Sequence, residues 1–381
     1  MWLFKKKEQL KYKQSKVNKL LGNFHKVSTI IGMEHPFHYR NKVQAAFGRT
    51  RGGEIISGVY QSSTHNIVKI DSCLIEDKKA DEIIVTIRKL IKSFKLTVFD
   101  ERTMKGFLRH VLVKRGFKTN EIMVVLVTGV INFPSKNAFI KELLKLHPEI
   151  TTIVQNVNNK FTSMILGDRE EVLFGNGYIE DVLCGNRFRI SPKSFYQINP
   201  VQTEVLYGKA IEFAELKGTE KVIDAYCGIG TIGLIAAKSV KELIGCEVNA
   251  DAIKDAKINA KINNITNAKF ICADAGEFML KMKETMSFSP FTLKCSKPLL
   301  ILTANSPSSI LSEDGNLQVL GLDNFFQNTD ADAILDSIDC NLYKLFESCI
   351  LGSFSSLSFE YASLYLSKVF LSFFDFSIIS S

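Results

Sequence analysis

The chain of 381 residues is 46% hydrophobic and 23% charged, a composition that excludes a disordered polar segment and leaves room for two domains with real cores. It has no uncharged apolar run of bilayer length, and Met1–Lys7 lacks the apolar core of an export signal, so neither a membrane partner nor secretion is expected and the location should be cytoplasmic. Its eight cysteines are scattered with no C-x-x-C pair, which argues against a disulfide framework and a zinc site.

The net charge of +8 is unevenly spread, with +14 on residues 1–290 and −6 on residues 291–381. A basic front suits a phosphate backbone, and it is equally compatible with a solvated surface. In chain order, residues 9–23 form a basic amphipathic helix with Leu10, Val17, Leu20 and Leu21 on one stripe. Residues 37–70 read as a meander of short strands, and 77–95 return to a helical period through Ile83, Ile84, Ile87, Leu90 and Ile91. Strands follow at 107–114 and 121–130, then a helix from Lys136 to Leu146. More strands are expected at 151–156, 161–166, 171–174 and 178–183, with Gly175-Asn176-Gly177 as a hairpin turn. This front is α+β. From residue 200 helices and strands alternate through Ala275, the pattern of a parallel sheet with crossover helices. Residues 291–381 hold seventeen serines and clustered Phe and Leu with no clean period.

The strongest local signal is Val222-Ile223-Asp224-Ala225-Tyr226-Cys227-Gly228-Ile229-Gly230-Thr231-Ile232-Gly233, a strand running into a glycine-rich turn and a helix. The spacing G-x-G-x-x-G also occurs in dinucleotide-binding folds and is weak alone. Asp224 at the strand end would repel a pyrophosphate and would suit an ammonium group. Glu247 closes the next strand, where a carboxylate can accept hydrogen bonds from both ribose hydroxyls, and Asp274 ends the third, within reach of an adenine amino group. Three acids on successive strand ends favour S-adenosylmethionine over a nicotinamide dinucleotide. A second segment, Ser191-Pro192-Lys193-Ser194-Phe195-Tyr196-Gln197-Ile198-Asn199-Pro200, offers Gln197 as a polar contact or is simply a loop leading into a capped helix.

The segments YRNKVQ (39–44), FRISPKSFYQINPVQTEVLY (188–207), DAYCGIGTIGL (224–234) and GCEVNADAIKDAKINAKINN (245–264) together resemble the RNA uracil-C5 methyltransferases that make 5-methyluridine, in the bacterial 23S rRNA branch. The resemblance runs from about Leu10 to about Lys283. It implies S-adenosylmethionine contacts at Gln197, Tyr226 and Glu247, with Gly228 and Gly230 in the turn, and it places Asn41 to Gln44 in an RNA-binding central domain. The implied partner is RNA, with rRNA preferred over tRNA.

Family members usually begin with a β-barrel, often followed by a four-cysteine iron–sulfur cluster. Cys73 falls where the last ligand would be, but the next cysteine is Cys184, so no cluster is expected. The family's fourth-strand Asp-Pro-Pro-Arg segment, its Ser-Cys-Asn-Pro nucleophile loop and its late glutamate base do not occur after residue 284. Cys340, in Ile338-Asp339-Cys340-Asn341, and Cys295 are the nearest substitutes, and both read better as incidental cysteines; the catalytic residues are therefore unassigned. The expected architecture is α/β: an α+β RNA-binding domain over 1–190, a class I methyltransferase (Rossmann-like) core over 191–285, apparently incomplete and with an open sheet edge, and an unassigned tail over 286–381. The rival readings are a non-catalytic RNA-binding remnant that retains cofactor binding and, less favoured, a nicotinamide-linked oxidoreductase.

Overall fold

The computed structural model describes residues 6–23, 27–62, 64–162, 164–278 and 317–320. The chain divides into two compact units, one of residues 35–194 with 198–200, and one that gathers the described residues before 35, residues 195–197 and those from 201 onward. The first helix, α1 (Lys6–Leu21), thus groups with the second unit and not with the domain in which the sequence reading placed it. Val17 of its apolar stripe is buried, Leu10 lies against Gly32, and polar bonds add to the docking. Gln14 Oε1 accepts the Ile30 N–H at 2.6 Å, Gln14 Nε2 donates to Ser28 O at 3.0 Å, and Lys6 Nζ donates to Glu34 O at 3.0 Å.

The unit of residues 35–194 is built on a sheet of β1 (Lys42–Arg49), β2 (Ile55–Tyr60), β3 (Ile67–Lys69), β4 (Leu108–Arg115), β5 (Ile122–Thr128), β6 (Ile150–Val157) and β7 (Arg169–Phe174) in the order β3-β2-β1-β4-β5-β6-β7. All neighbours are antiparallel except β5 and β6, which are parallel and joined through α3 (Lys136–Leu146). The other helix, α2 (Lys78–Ser93), starts because Asp77 caps it, accepting from the backbone of Lys79 and Ala80. Ile83, Ile84, Ile87, Leu90 and Ile91 of α2 and Phe139 and Leu143 of α3 bury against Val111, Val113, Val124, Leu126 and Ile153 of the sheet. Only one residue type on each helix face had to be apolar for this, and the 3.6 period supplies it.

Two expectations fail here for identifiable reasons. Residues 161–166 are not a strand but part of a loop pinned by polar groups. Buried Arg109 donates to Lys160 O and Thr162 O at 3.0 and 3.1 Å, while Asn158 Nδ2 donates to Met164 O and Ile165 O at 2.7 and 3.0 Å. Gly175-Asn176-Gly177 is not a hairpin turn, because β7 pairs with β6 whereas β8 (Ile179–Leu183) pairs with β9 (Asn186–Ile190). The true two-residue hairpin is Cys184-Gly185, with φ of 48° and 76°, the primed geometry that matches strand twist.

In the second unit α4 (Pro200–Ala214) leads to β10 (Lys221–Ala225), α5 (Thr231–Ala236), β11 (Glu242–Glu247), α6 (Ala250–Ile262), β12 (Ala268–Cys272) and β13 (Leu317–Leu320). The sheet runs β12-β11-β10-β13, all parallel. The expected open edge at β10 is therefore corrected: Leu317–Leu320 pairs along it from Lys221 to Asp224. No described helix is long and apolar enough to cross a membrane.

Burial perturbs two titrating groups in the first unit in opposite senses. His110 is 4% exposed, and desolvation, helped by Arg109 and opposed by Glu101, pulls its pKa from 6.5 to about 4. Glu76 is pushed up to about 7, chiefly by burial and then by the carboxylate of Asp81. Because the unfolded chain protonates His110 near 6.5 and the folded chain only near 4, its contribution is full above 6.5 and is lost as pH falls towards 4, by about 3 kcal/mol. Glu76 acts the other way, gaining stability as pH falls below 7. Chemical denaturation of wild type and His110→Leu between pH 7 and 4 should therefore show a variant whose stability falls less steeply on acidification. Parallel pH profiles would contradict the assignment.

Candidate cofactor site

The site lies at the carboxyl ends of β10, β11 and β12, where an open parallel sheet presents its ligand-binding crevice. In-register pairing sets Asp224 beside Gly245 and Glu247 beside Cys272, so the acids picked out by sequence do fall on one end of the sheet. Their roles differ.

Asp224 is fully buried, and its Oδ2 accepts the N–H of Gly233 at 3.0 Å. A Cβ on Gly233 would stand 2.5 Å from that oxygen, which is why the third glycine of the motif is required. The carboxylate thus ties the strand end to the first turn of α5 through one of its two oxygens. Between the two, Cys227 O accepts the Gly230 N–H at 2.7 Å to close the turn. Tyr226 sits at φ 65°, Gly228 at 53° and Gly230 at 82°. For tyrosine that conformation costs about 1–3 kcal/mol and persists only where the surroundings enforce it. Its hydroxyl oxygen is buried without a hydrogen-bond partner among the described residues.

Glu247 closes the crevice on the other side. Its Oε2 accepts the Gly228 N–H at 3.2 Å and its Oε1 the Asn249 N–H at 2.9 Å, so the carboxylate bridges the glycine turn and the start of α6. Asn249 in turn caps α6, accepting from the backbone of Asp251 and Ala252. Asp274 is exposed, and its Oδ1 accepts the Glu277 N–H at 3.1 Å. Gln197 is buried at 6% exposure and belongs to the same unit by residues 195–197. The Asn41 to Gln44 segment belongs to the other unit, where Asn41 is architectural: its N–H donates to Ile198 O and its carbonyl accepts from Arg115.

Three residues that the sequence reading passed over complete the site. Asn249 had a legible signal, an Asn immediately before a periodic helix. Asn259 Nδ2 donates to Ile229 O at 3.1 Å, fixing the turn from below, and Phe270 packs within 3.3 Å of where a Cβ on Gly230 would lie. Neither contact has a sequence signature. Cys246 is no nucleophile candidate, since burial, then Glu247 and Asp274, push its thiol up to about 12. Cys227 is buried, and Cys272 is exposed with Sγ 3.4 Å from Val248 O. Cys295 and Cys340 lie outside the described residues.

This strand–turn–helix arrangement is that of the class I methyltransferases. The sequence profile of the tRNA (uracil-5-)-methyltransferase family matches residues 5–294, and the chain belongs to that family. It is 44% identical over 282 residues to an uncharacterised RNA methyltransferase of Oceanobacillus iheyensis, covering 72% of this chain and 61% of that one. An uncharacterised RNA methyltransferase of Clostridium tetani is 38% identical over 336 residues, covering 83% of this chain and 73% of the relative. Among solved structures, the Pyrococcus abyssi tRNA (uracil-54, C5)-methyltransferase in complex with S-adenosyl-L-homocysteine aligns with a TM-score of 0.59 at 28% identity, over 71% of this chain and 64% of that one. The chain spans about three fifths of the length of the Oceanobacillus relative.

Two substitutions separate the roles of the acids. Glu247→Ala should weaken S-adenosylhomocysteine binding by about tenfold or more, the worth of a charge-assisted hydrogen bond, and should lower the melting temperature by a few degrees because the Gly228 and Asn249 N–H groups lose their acceptor. Gly233→Ala should lower the melting temperature as well, since overpacking against Asp224 costs about 1–3 kcal/mol. Calorimetry and thermal melts read both, and a Glu247→Ala variant with unchanged affinity would remove Glu247 from the site.

Proposed function

We propose that this chain binds S-adenosylmethionine at the ends of β10–β12 and serves methylation of uracil C5 in RNA, with 23S rRNA preferred over tRNA. The observation that carries the cofactor reading is the Glu247 carboxylate held beside a glycine turn at the switch from strand to helix, with a strained Tyr226 enforced next to it. The orphaned Tyr226 hydroxyl and the two positive-φ glycines fit a ligand that approaches the backbone closely. In this reading Glu247 binds the ribose hydroxyls, Asp274 faces the adenine amino group, Gln197 and Tyr226 line the methionine side, and Gly228 and Gly230 leave room for it. Asp224 orders the turn through one oxygen and offers its carboxylate to the ammonium group. Bound S-adenosylmethionine supplies an electrophilic methyl group. Membership of the uracil-C5 family supports the substrate class, and the resemblance of the four segments at 39–44, 188–207, 224–234 and 245–264 to the bacterial 23S rRNA branch is the ground for rRNA. The printed names of the family and of the Pyrococcus protein speak for tRNA, so both RNAs belong in the test.

Uracil C5 is too weak a nucleophile to take a methyl group unaided. A thiolate adding to C6 makes C5 enolate-like, and a base must then take the C5 proton so that the thiolate can leave. Among the described cysteines Cys227 and Cys246 are buried, and residues 284–381 contain no Ser-Cys-Asn-Pro sequence. The alternative reading is a remnant that binds RNA and cofactor without turnover.

Calorimetry should show S-adenosylhomocysteine binding in preference to NAD, and equal or tighter NAD binding would return the site to the oxidoreductases. Transfer of a labelled methyl group to unmodified rRNA and tRNA should run orders of magnitude below a competent enzyme. Robust uridine methylation abolished by Cys295→Ala or Cys340→Ala would instead identify a displaced nucleophile and overturn the remnant reading.

A further inference from the structure

α1 is an unusual helix for its place in the fold. It holds six lysines against a single acid, Glu8, and Val17 is its one buried side chain among those described. Its docking side is occupied by Leu10, which lies against Gly32, by Gln14 and by Val17. Lys7, Lys11 and Lys19 are exposed, and none has a hydrogen bond or ion pair among the described residues. Tyr12 stands among them at 62% exposure.

Helix stability does not account for this pattern. Lys7 and Lys11 are like charges at i and i+4, which destabilise a helix, and Lys7 lies in the first turn, against the macrodipole. Nor does packing, because these side chains are exposed. What they do supply is positive charge spaced along the helix. Lys7 and Lys11 are separated by about 6 Å of helical rise, and Lys7 and Lys19 by about 18 Å, a length that follows several nucleotides of a strand.

We propose that the exposed, unpaired lysines of α1 form a phosphate-binding strip for the RNA substrate, with Lys7, Lys11 and Lys19 as its contacts; the assignment rests on the RNA reading above and locates part of it on the cofactor-bearing unit. Such contacts position an RNA without reading its sequence, because a phosphate looks the same at every nucleotide. Tyr12 offers a ring against sugar or an unpaired base beside the strip.

The test is filter binding of the full chain to a labelled uridine-containing RNA hairpin across a salt series. In K7Q/K11Q/K19Q the slope of log affinity against log salt should become shallower by about 2, with affinity down about tenfold or more at ~0.1 M salt. K7R/K11R/K19R should bind like wild type. K89Q/K92Q/K95Q removes the same charge from exposed lysines at α2 and should lose much less. S-adenosylhomocysteine binding should be equal in all four proteins. Equal losses from the two glutamine triples, an unchanged α1 triple, or a loss seen only with anionic phospholipid vesicles would each overturn the strip. Failure of the wild-type chain to bind RNA at all would sink the RNA reading with it, whereas wild-type binding with an unchanged α1 triple sinks the strip alone.

Discussion

The hydrogen bond from the Gly233 N–H to the Asp224 carboxylate is the constraint on which the cofactor end of this protein depends. A fully buried carboxylate is costly unless backbone N–H groups satisfy it, and a helix N-terminus offers those groups with a favourable dipole. Once Asp224 is bound to the first turn of α5, the residues between them have little freedom. Tyr226 is driven into the left-handed region, Gly228 and Gly230 follow, and the Gly228 N–H is delivered to Glu247 on the neighbouring strand. The three acids at the strand ends therefore form a hierarchy: one builds the turn, one joins the turn to α6, and one caps the next helical turn. They look alike in sequence because position on a strand end is all that spacing encodes.

That limit explains what could be read in advance. The helical periods of α2 and α3 and the alternation after residue 200 are strong because each reflects burial of one face, and their elements stand close to where the patterns put them. Glycines were read as turns, rightly at Gly228 and Gly230, but at Gly175 and Gly177 the chain passes between different sheets. The real hairpin turn at Cys184-Gly185 lacks the Asn-Gly signature and is imposed by the pairing of Leu183 with Asn186. The apolar run at 161–166 was overruled by Arg109 and Asn158, distant polar side chains whose bonds to loop carbonyls no local window contains. β13 was hidden for the opposite reason: its sequence, Leu317-Gln318-Val319-Leu320, has no distinguishing motif, and only the open edge of β10 gives it a partner.

Titration behaviour was the least legible property. His110, Glu76 and Cys246 are each shifted towards the neutral form, and burial is the leading cause in all three.

The discontinuity of the second unit bears on how the chain reaches its fold. α1 and residues 27–34 leave the ribosome before the rest of their unit, yet the partner that Ile31 engages, Gln202, is encoded 171 positions later. At translation speeds of about 5–20 residues per second the helix waits on the order of ten seconds, while the unit of residues 35–194, whose contacts lie within one stretch of chain, is completed before it. Its lysines then serve the nascent chain as well: a polar, strongly charged helix can linger in water without collapsing onto the apolar strands emerging behind it.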